Sequence, residues 1–334
     1  MSDSPIDATV LDDESASGPP ARRAWLPAVM ALATLASTTA NGIWMTEGYA
    51  QRAGLASLFG ADLSAFVTPW YLDLSVWQGG LSFSLSLLLI LFAHEMGHWL
   101  TARYYRVPVS FPLFIPFFPP LGTMGAVIGM QLMRMPSRAL MRIAAFGPLA
   151  GMAAAIPVFM IGLSFSRVEA LPGEGAELMF LGGSLLSRFL ENWYFSDIPP
   201  GHDIFLHPAA FAGWAGFYVT ALNLVPLGQL DGGHIAYGLF GTKWNRVAPV
   251  VGWLLIAMGV LVYPAWLVIA LLVRFTMGWT HPDLMTDGRA RGADAAIGWV
   301  TVLVLVLTFM PSVILDADAP TILQRVQLLF SSAE

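Results

Sequence analysis

Two histidines and a glutamate stand inside an almost wholly apolar run, "LLLILFAHEMGHWLTARYY", residues 87–105. On a helix, His94 and His98 lie four residues apart on one face, about 6 Å apart along the axis. Such a pair can hold one metal ion, with Glu95 within reach of a water on that ion. Ionisable groups at bilayer depth cost about 2.5–3.5 kcal/mol each on insertion, so they mark a functional site. Matches to H-E-x-x-H arise by chance in soluble helices, but within an apolar helix desolvation selects against them. A catalytic zinc asks for a third protein ligand and an open position. Many carboxylates after His98 lie in the polar stretch 166–205; Asp231 stands instead at the C-terminal end of the fourth apolar segment, in "TALNLVPLGQLDGGHIAYG". The plainer role for Asp231 is to cap the next helix, ahead of a Gly-Gly turn.

The elements that must position these residues are set by composition. The chain of 334 residues is 56% hydrophobic and 11% charged, with a mean hydropathy of +0.66. Soluble domains carry about 25% charged residues, so this is the composition of a membrane protein in contact with the lipid bilayer. With no cysteine, disulfides, thiolate metal sites and cysteine nucleophiles are excluded, and any metal must be held by His and carboxylate. Lys243 is the single lysine and no basic patch is present, which excludes a nucleic-acid partner.

Residues 1–21 read as a disordered tail. Arg22 and Arg23 precede an apolar stretch, 24–44, that is too long for a signal-peptide core and reads as the first membrane helix. Further segments of spanning length lie near 81–103, 140–165, 206–229, 247–277 and 296–315. The segment 247–277 is broken at Tyr263–Pro264 and is either one bent helix or a hairpin. The expected architecture is an all-α polytopic membrane protein of about six to seven transmembrane helices. It forms one domain over 22–334, with its core at about 80–240. Arg103, Arg106, Arg134, Arg138 and Arg142 cluster in the loop 103–142, which places that loop and the N-terminus on the cytoplasmic side. The second and fourth segments then run in the same direction, so His94, His98 and Asp231 fall at comparable depth.

"VPVSFPLFIPFFPPLGTMGAVIGMQL" (107–132) contains Pro108, Pro112, Pro116, Pro119 and Pro120 and cannot be a continuous helix. Residues 122–130 read as a short re-entrant β element beside the site. Its free edge, near Val127, suits pairing with an extended substrate, with Gly122 and Gly125 allowing close backbone approach; a packed apolar loop is the alternative. Pro226 frees the carbonyl of Leu222, so Asn223 either satisfies such freed groups or binds substrate. His234 is either a partner orienting Asp231 or a plain interfacial histidine. His202, His207 and His281 fall in loops, with structural or solvated roles.

"HEMGH" together with "NLVPLGQLDGG" resembles the HExxH and NxxPxxxxDG signatures of the site-2 protease family of intramembrane zinc metalloproteases. The similarity runs from about residue 80 to 240. "GTMGAVIGM" and "HPDLMTDGRARG" look like that family's compact branch, which lacks a PDZ domain. The resemblance implies one zinc ion per chain, held by His94, His98 and Asp231, with Glu95 as catalytic base. It also implies an endopeptidase whose substrates are other membrane proteins, cut in a transmembrane helix near the cytoplasmic face. A di-iron oxygenase would need several histidine boxes with adjacent pairs, and the six histidines here include none. A zinc transporter would spread polar residues along several helices, whereas these gather at one depth. A prenyl-protein-type zinc protease would need a later intramembrane glutamate, and no apolar segment supplies one.

Overall fold

Helical periodicity in the burial pattern shows how the HEMGH segment is held. The structure is a computed structural model describing residues 25–45, 74–117, 121–130, 135–171 and 179–316; the expected tail 1–21 lies outside them. Its first helices are α1 (Leu26–Met45) and α2 (Leu74–Tyr104). In α2, Phe83, Leu87, Ile90, Leu91, His94, His98 and Ala102 are buried at helical spacing, while Leu81, Leu85, Leu89, Phe92 and Leu100 are exposed. One face is therefore a protein core and the other an apolar stripe fit for hydrocarbon. The histidines continue the buried stripe. Against α2, α1 turns Thr34 and Thr38, whose hydroxyls donate back to the carbonyls of Met30 and Thr34 at 2.8 and 2.7 Å. Thr38 also hydrogen-bonds Ser84 of α2.

Next come β1 (Leu113–Pro116) and β2 (Thr123–Val127), an antiparallel pair with Leu113 opposite Val127 and Phe114 opposite Ala126. The strand expected at 122–130 is thus the second arm of a hairpin. Its first arm is obscured in the sequence by Pro112 and Pro116, which are tolerated because they sit at a strand end rather than mid-ladder. The Ser37 hydroxyl donates to the Gly122 carbonyl at 2.6 Å and ties the hairpin to α1.

The remaining elements are α3 (Ser137–Phe165), β3 (Arg167–Ala170), β4 (Met179–Leu181), α4 (Leu185–Tyr194), β5 (His202–Phe205), α5 (Pro208–Asn223), α6 (Asp231–Phe240), a 3-10 turn (Gly241–Lys243), α7 (Trp244–Leu261), α8 (Ala265–Thr276), α9 (Ala293–Thr308) and β6 (Ile314–Asp316). Two compact units share the chain. The first holds the described residues before 134 with Phe146–Arg167 and Ile204–Gly216, and the second holds the rest.

Four helical stretches are long and apolar enough to cross a membrane: Leu26–Ile43, Val76–Tyr104, Ser137–Phe165 and Asp231–Leu261. The fold is predominantly helical, as expected, but the described residues hold fewer spanning helices than six to seven. The segment expected over 206–229 shortens to α5, 16 residues or about 24 Å, against a hydrocarbon core of about 30 Å. The segment expected over 247–277 is a hairpin of two short helices rather than a bent one. Gly252 of α7 abuts Trp279, beyond α8, and Gly259 abuts Leu267. Ala248 and Leu255 share a core with Trp266, Ala270 and Val273.

Between α8 and α9, residues 277–292 form a connector bonded into the second unit at many points. Met135 donates its N–H to Leu284 O at 2.7 Å and accepts Thr286 N–H at 3.1 Å. The Asp287 carboxylate accepts the amide of Ser137, the first of α3, at 2.7 Å. Just beyond it, Asp294 receives Arg142 Nε at 2.7 Å. A carboxylate at a helix N-terminus satisfies an orphan donor and complements the dipole. Asp287→Ala is therefore expected to lower stability by about 1 kcal/mol, and Asp287→Asn, which keeps an acceptor, by less. Thermal unfolding of the detergent-solubilised protein measures both.

Candidate metal centre

His94 and His98 bring their Nε2 atoms to 3.1 Å from each other, with both rings almost fully buried. Two imidazole nitrogens bound at 2.0–2.1 Å to one tetrahedral zinc stand about 3.3 Å apart. The pair therefore already has nearly the spacing of two ligands on one ion. Glu95 is buried beside them, about 100° further round the helix from His94. His98 precedes the end of α2 at Tyr104 by roughly 9 Å of helical rise, so the group lies near one end of a long apolar helix.

The histidine rings are covered by α3 through an unusually close approach. Gly97 faces the Phe146 carbonyl so tightly that a Cβ there would lie 2.2 Å from its oxygen. A Cβ on Gly147 would fall 2.0 Å from His98 Nε2, and one on Gly151 would stand 3.2 Å from His94 Nδ1. Gly147 and Gly151, four apart in "FGPLAG", share one face of α3 and leave room for the two imidazoles. The sequence reading did not single them out. Their G-x-x-x-G spacing, which marks close helix packing in membranes, was the available signal.

In the second unit, Asp231 is the first residue of α6. The cap position is Leu230, with no side-chain capping bond, so Asp231 does not serve as the helix cap. Nor do Gly232 and Gly233 form a turn. They lie in the first turn of α6, where side chains would meet the carbonyls of Leu224 at 1.9 Å and Gly228 at 2.4 Å. Asn223 ends α5. The carbonyl of Leu222 accepts Val225 N–H at 3.2 Å, so Asn223 is not needed to satisfy it. This turn packs on the core of α7 and α8 through Val225 and Leu227.

His234 is buried one turn after Asp231, and its Nδ1 lies 2.6 Å from Nε2 of His281. His281, expected in a loop, is indeed on the connector but is buried and structural: its ring stacks on Tyr237 at 4.2 Å and its amide donates to Asn245 Oδ1 at 2.8 Å. His207 accepts the Ala209 amide at 3.2 Å, and His202 sits within 3.3 Å of the Pro200 carbonyl.

On the hairpin of the first unit, the three expected residues differ. Gly122, with φ +76°, is packed on α1, where a Cβ would lie 2.7 Å from the Ser37 carbonyl. It serves helix packing rather than approach of a substrate. Gly125 has open space on its Cβ side, and Val127 is exposed.

Residues 82–262 match the model of peptidase family M50, more than half of the chain. The chain belongs to this family. The matched region starts within α2 and ends just past α7, so it contains both HEMGH and the Asp231 turn. Among relatives, the rice (Oryza sativa subsp. japonica) protein named "Probable zinc metalloprotease EGY1, chloroplastic" is 31% identical over 238 residues, 70% of this chain and 41% of its own. "Probable zinc metalloprotease EGY2, chloroplastic" of Arabidopsis thaliana is 29% identical over 62% of this chain and 37% of its own. The Arabidopsis thaliana protein named EGY1 is 28% identical over 66% and 41%. The M50 chain thus spans about two fifths of the length of these curated relatives. No solved structure matches it.

The α2–α3 contact yields a graded expectation. Gly147→Ala should displace His98 and weaken zinc binding at least tenfold, while Gly151→Ala, whose Cβ would stand a tight but less severe 3.2 Å from the His94 ring, should weaken it less. Titration of the purified protein against a chelating zinc indicator compares the two.

Proposed function

We propose that this chain is a zinc-dependent endopeptidase that cuts membrane-embedded segments of other membrane proteins. The observation that carries the reading is the buried His94–His98 pair, spaced for one ion, in a helix whose other face is lipid-like. The naming of M50 relatives as probable zinc metalloproteases supports it. Asp231 is the proposed third ligand. His94 and His98 would supply the two imidazoles, and Asp231, an acid in an apolar stretch, the carboxylate. Two imidazoles and a carboxylate are a donor set found in catalytic zinc sites, which keep a fourth position open.

When bound, zinc supplies Lewis acidity, polarising a carbonyl and bringing the pKa of its water to about 7. Glu95 does the proton work: it accepts a proton from the attacking water and delivers it to the leaving amide nitrogen as the peptide bond breaks. A substrate helix hides its carbonyls, so it must be drawn out before attack. The outer edge of β2 at Gly125–Val127 would hold an unwound segment by strand addition. Asn223, at the end of α5, would hydrogen-bond that segment or its developing oxyanion. The arginines of 103–142 favour a cytoplasmic N-terminus and a cytoplasmic active-site end. These finer points rest on sequence pattern and local geometry.

Glu95→Gln is nearly isosteric but cannot accept the proton. It should keep zinc while losing hydrolysis of a transmembrane substrate by at least about 10²–10⁴-fold; equal cleavage by the two proteins would sink the mechanism. Asp231→Ala should lose or greatly weaken zinc, whereas His202→Ala should retain it, as metal analysis of the purified variants reports.

Val127→Pro removes a backbone donor from β2 without touching a ligand. It should keep zinc, cleave a transmembrane substrate poorly and cleave an unfolded soluble peptide comparatively well. Unchanged cleavage of the membrane substrate would reduce β2 to a packing element.

A further inference from the structure

The second unit contains a buried imidazole pair that the proposed chemistry does not use. Nδ1 of His281 faces the carbonyl of Pro282, and a carbonyl only accepts, so this nitrogen carries a proton. In a neutral ring Nε2 of His281 is then a lone pair, and the atom 2.6 Å from it is Nδ1 of His234. That atom must therefore be the donor. Burial pushes the His281 imidazole below the ordinary histidine range, against smaller upward pulls from the Pro282 carbonyl and Asp283, and so favours the neutral ring. His281 is fixed on every side. Its ring stacks on Tyr237, whose hydroxyl donates to Asp283 at 2.6 Å. Its backbone is clamped both ways by the Asn245 side chain at 2.8 Å.

His234 lies three residues after Asp231 on α6, and residues so spaced share a helix face. We propose that His281 is a positioning residue for the Asp231 turn: by accepting the Nδ1 proton of His234 it fixes that ring and its tautomer, and so holds the first turn of α6. The inference rests on the reading of Asp231 as a zinc ligand. The connector thereby does more than join α8 to α9. It braces the start of α6 from behind, through His281 to His234 and through Trp279, whose carbonyl accepts Gly228 N–H at 3.0 Å.

The test compares His281→Leu, His281→Gln and each combined with His234→Leu, in the full-length detergent-solubilised protein, using zinc and a competing chelator. Leu fills the space without an acceptor, whereas Gln offers one. His281→Leu is expected to weaken zinc binding about tenfold or more, and His281→Gln to recover most of it. In the His234→Leu background, His281→Leu should add almost nothing, since the coupled residue is gone. Equal losses for Leu and Gln, or a full additional loss in that background, would make His281 a packing residue and overturn the proposal. Ring ¹⁵N shifts of His234 give a readout free of zinc. A proton on Nδ1 in the wild type, giving way to mixed tautomers in His281→Leu, is expected; a proton held on Nε2 would overturn the lock. Wild-type protein that takes up no zinc would instead remove the ligand reading, while the ¹⁵N result still decides the lock.

Discussion

The structure depends on keeping three titratable groups away from lipid inside an apolar helix. α2 meets this constraint by dividing its surface: a continuous buried stripe from Phe83 to Ala102 takes in His94 and His98, and the opposite leucine stripe is left exposed. The stripe alone would not suffice, because side chains on α3 would occupy the space the two imidazoles need. Gly97 lets α2 and α3 approach closely, and Gly147 and Gly151 leave the rings their room. The cover is protein, not hydrocarbon, and it presses the rings into a fixed spacing. A ligand pair set by packing loses little entropy when an ion arrives, which is the advantage of preorganisation.

The Asp231 turn solves a related problem by different means. A chain that leaves a helix inside an apolar layer must satisfy its freed backbone groups internally. After α5 it does so with tight local bonds: Val225 to Leu222, Leu227 to Val225 and Leu230 to Leu227. Pro226 supplies one fewer donor to place, and its carbonyl accepts the Trp244 indole at 3.2 Å. Gly232 and Gly233 then let α6 begin directly against the carbonyls of that same turn. The helix that this acid begins is packed against backbone on one side and, in the proposal, braced through the His234–His281 contact on the other.

The sequence made legible what has a period or a chemical signature. The apolar run of α2 was readable because burial demands it, and the i, i+4 histidines because the proposed ligation needs that spacing. Asp231 was noticed as a candidate because an acid in an apolar context is conspicuous. Lengths were read less well: α5 was expected to span 206–229, but its apolar tail past Asn223 is a turn with Pro226, and apolarity cannot distinguish a buried turn from a buried helix. The arm β1 was hidden by its prolines. The loop position of His281 is legible in the sequence, but its burial is not, because it comes from Tyr237, Asn245 and His234, distant in sequence and invisible to any local window. Gly147 was passed over for the same reason, since its meaning lies in a helix fifty residues away.

The hairpin combines a fixed anchor with an exposed edge. β2 is anchored at its start, where the Gly122 carbonyl takes the Ser37 hydroxyl and its Cα lies against α1. Three residues on, the backbone at Gly125 has nothing against it on the Cβ side, and Met124 and Val127 are exposed. Only β1 pairs with β2 among the described strands. Unpaired strand edges are normally blocked, because they recruit other chains. An edge pinned at one end to a membrane helix and exposed beyond it keeps its place, while the Thr123 hydroxyl bonds the Gly125 amide and carbonyl, a local contact that an incoming backbone would displace. A proposed enzyme that must receive an unwound helix needs both properties at once: a fixed origin to set register, and an open edge to accept backbone whatever its side chains.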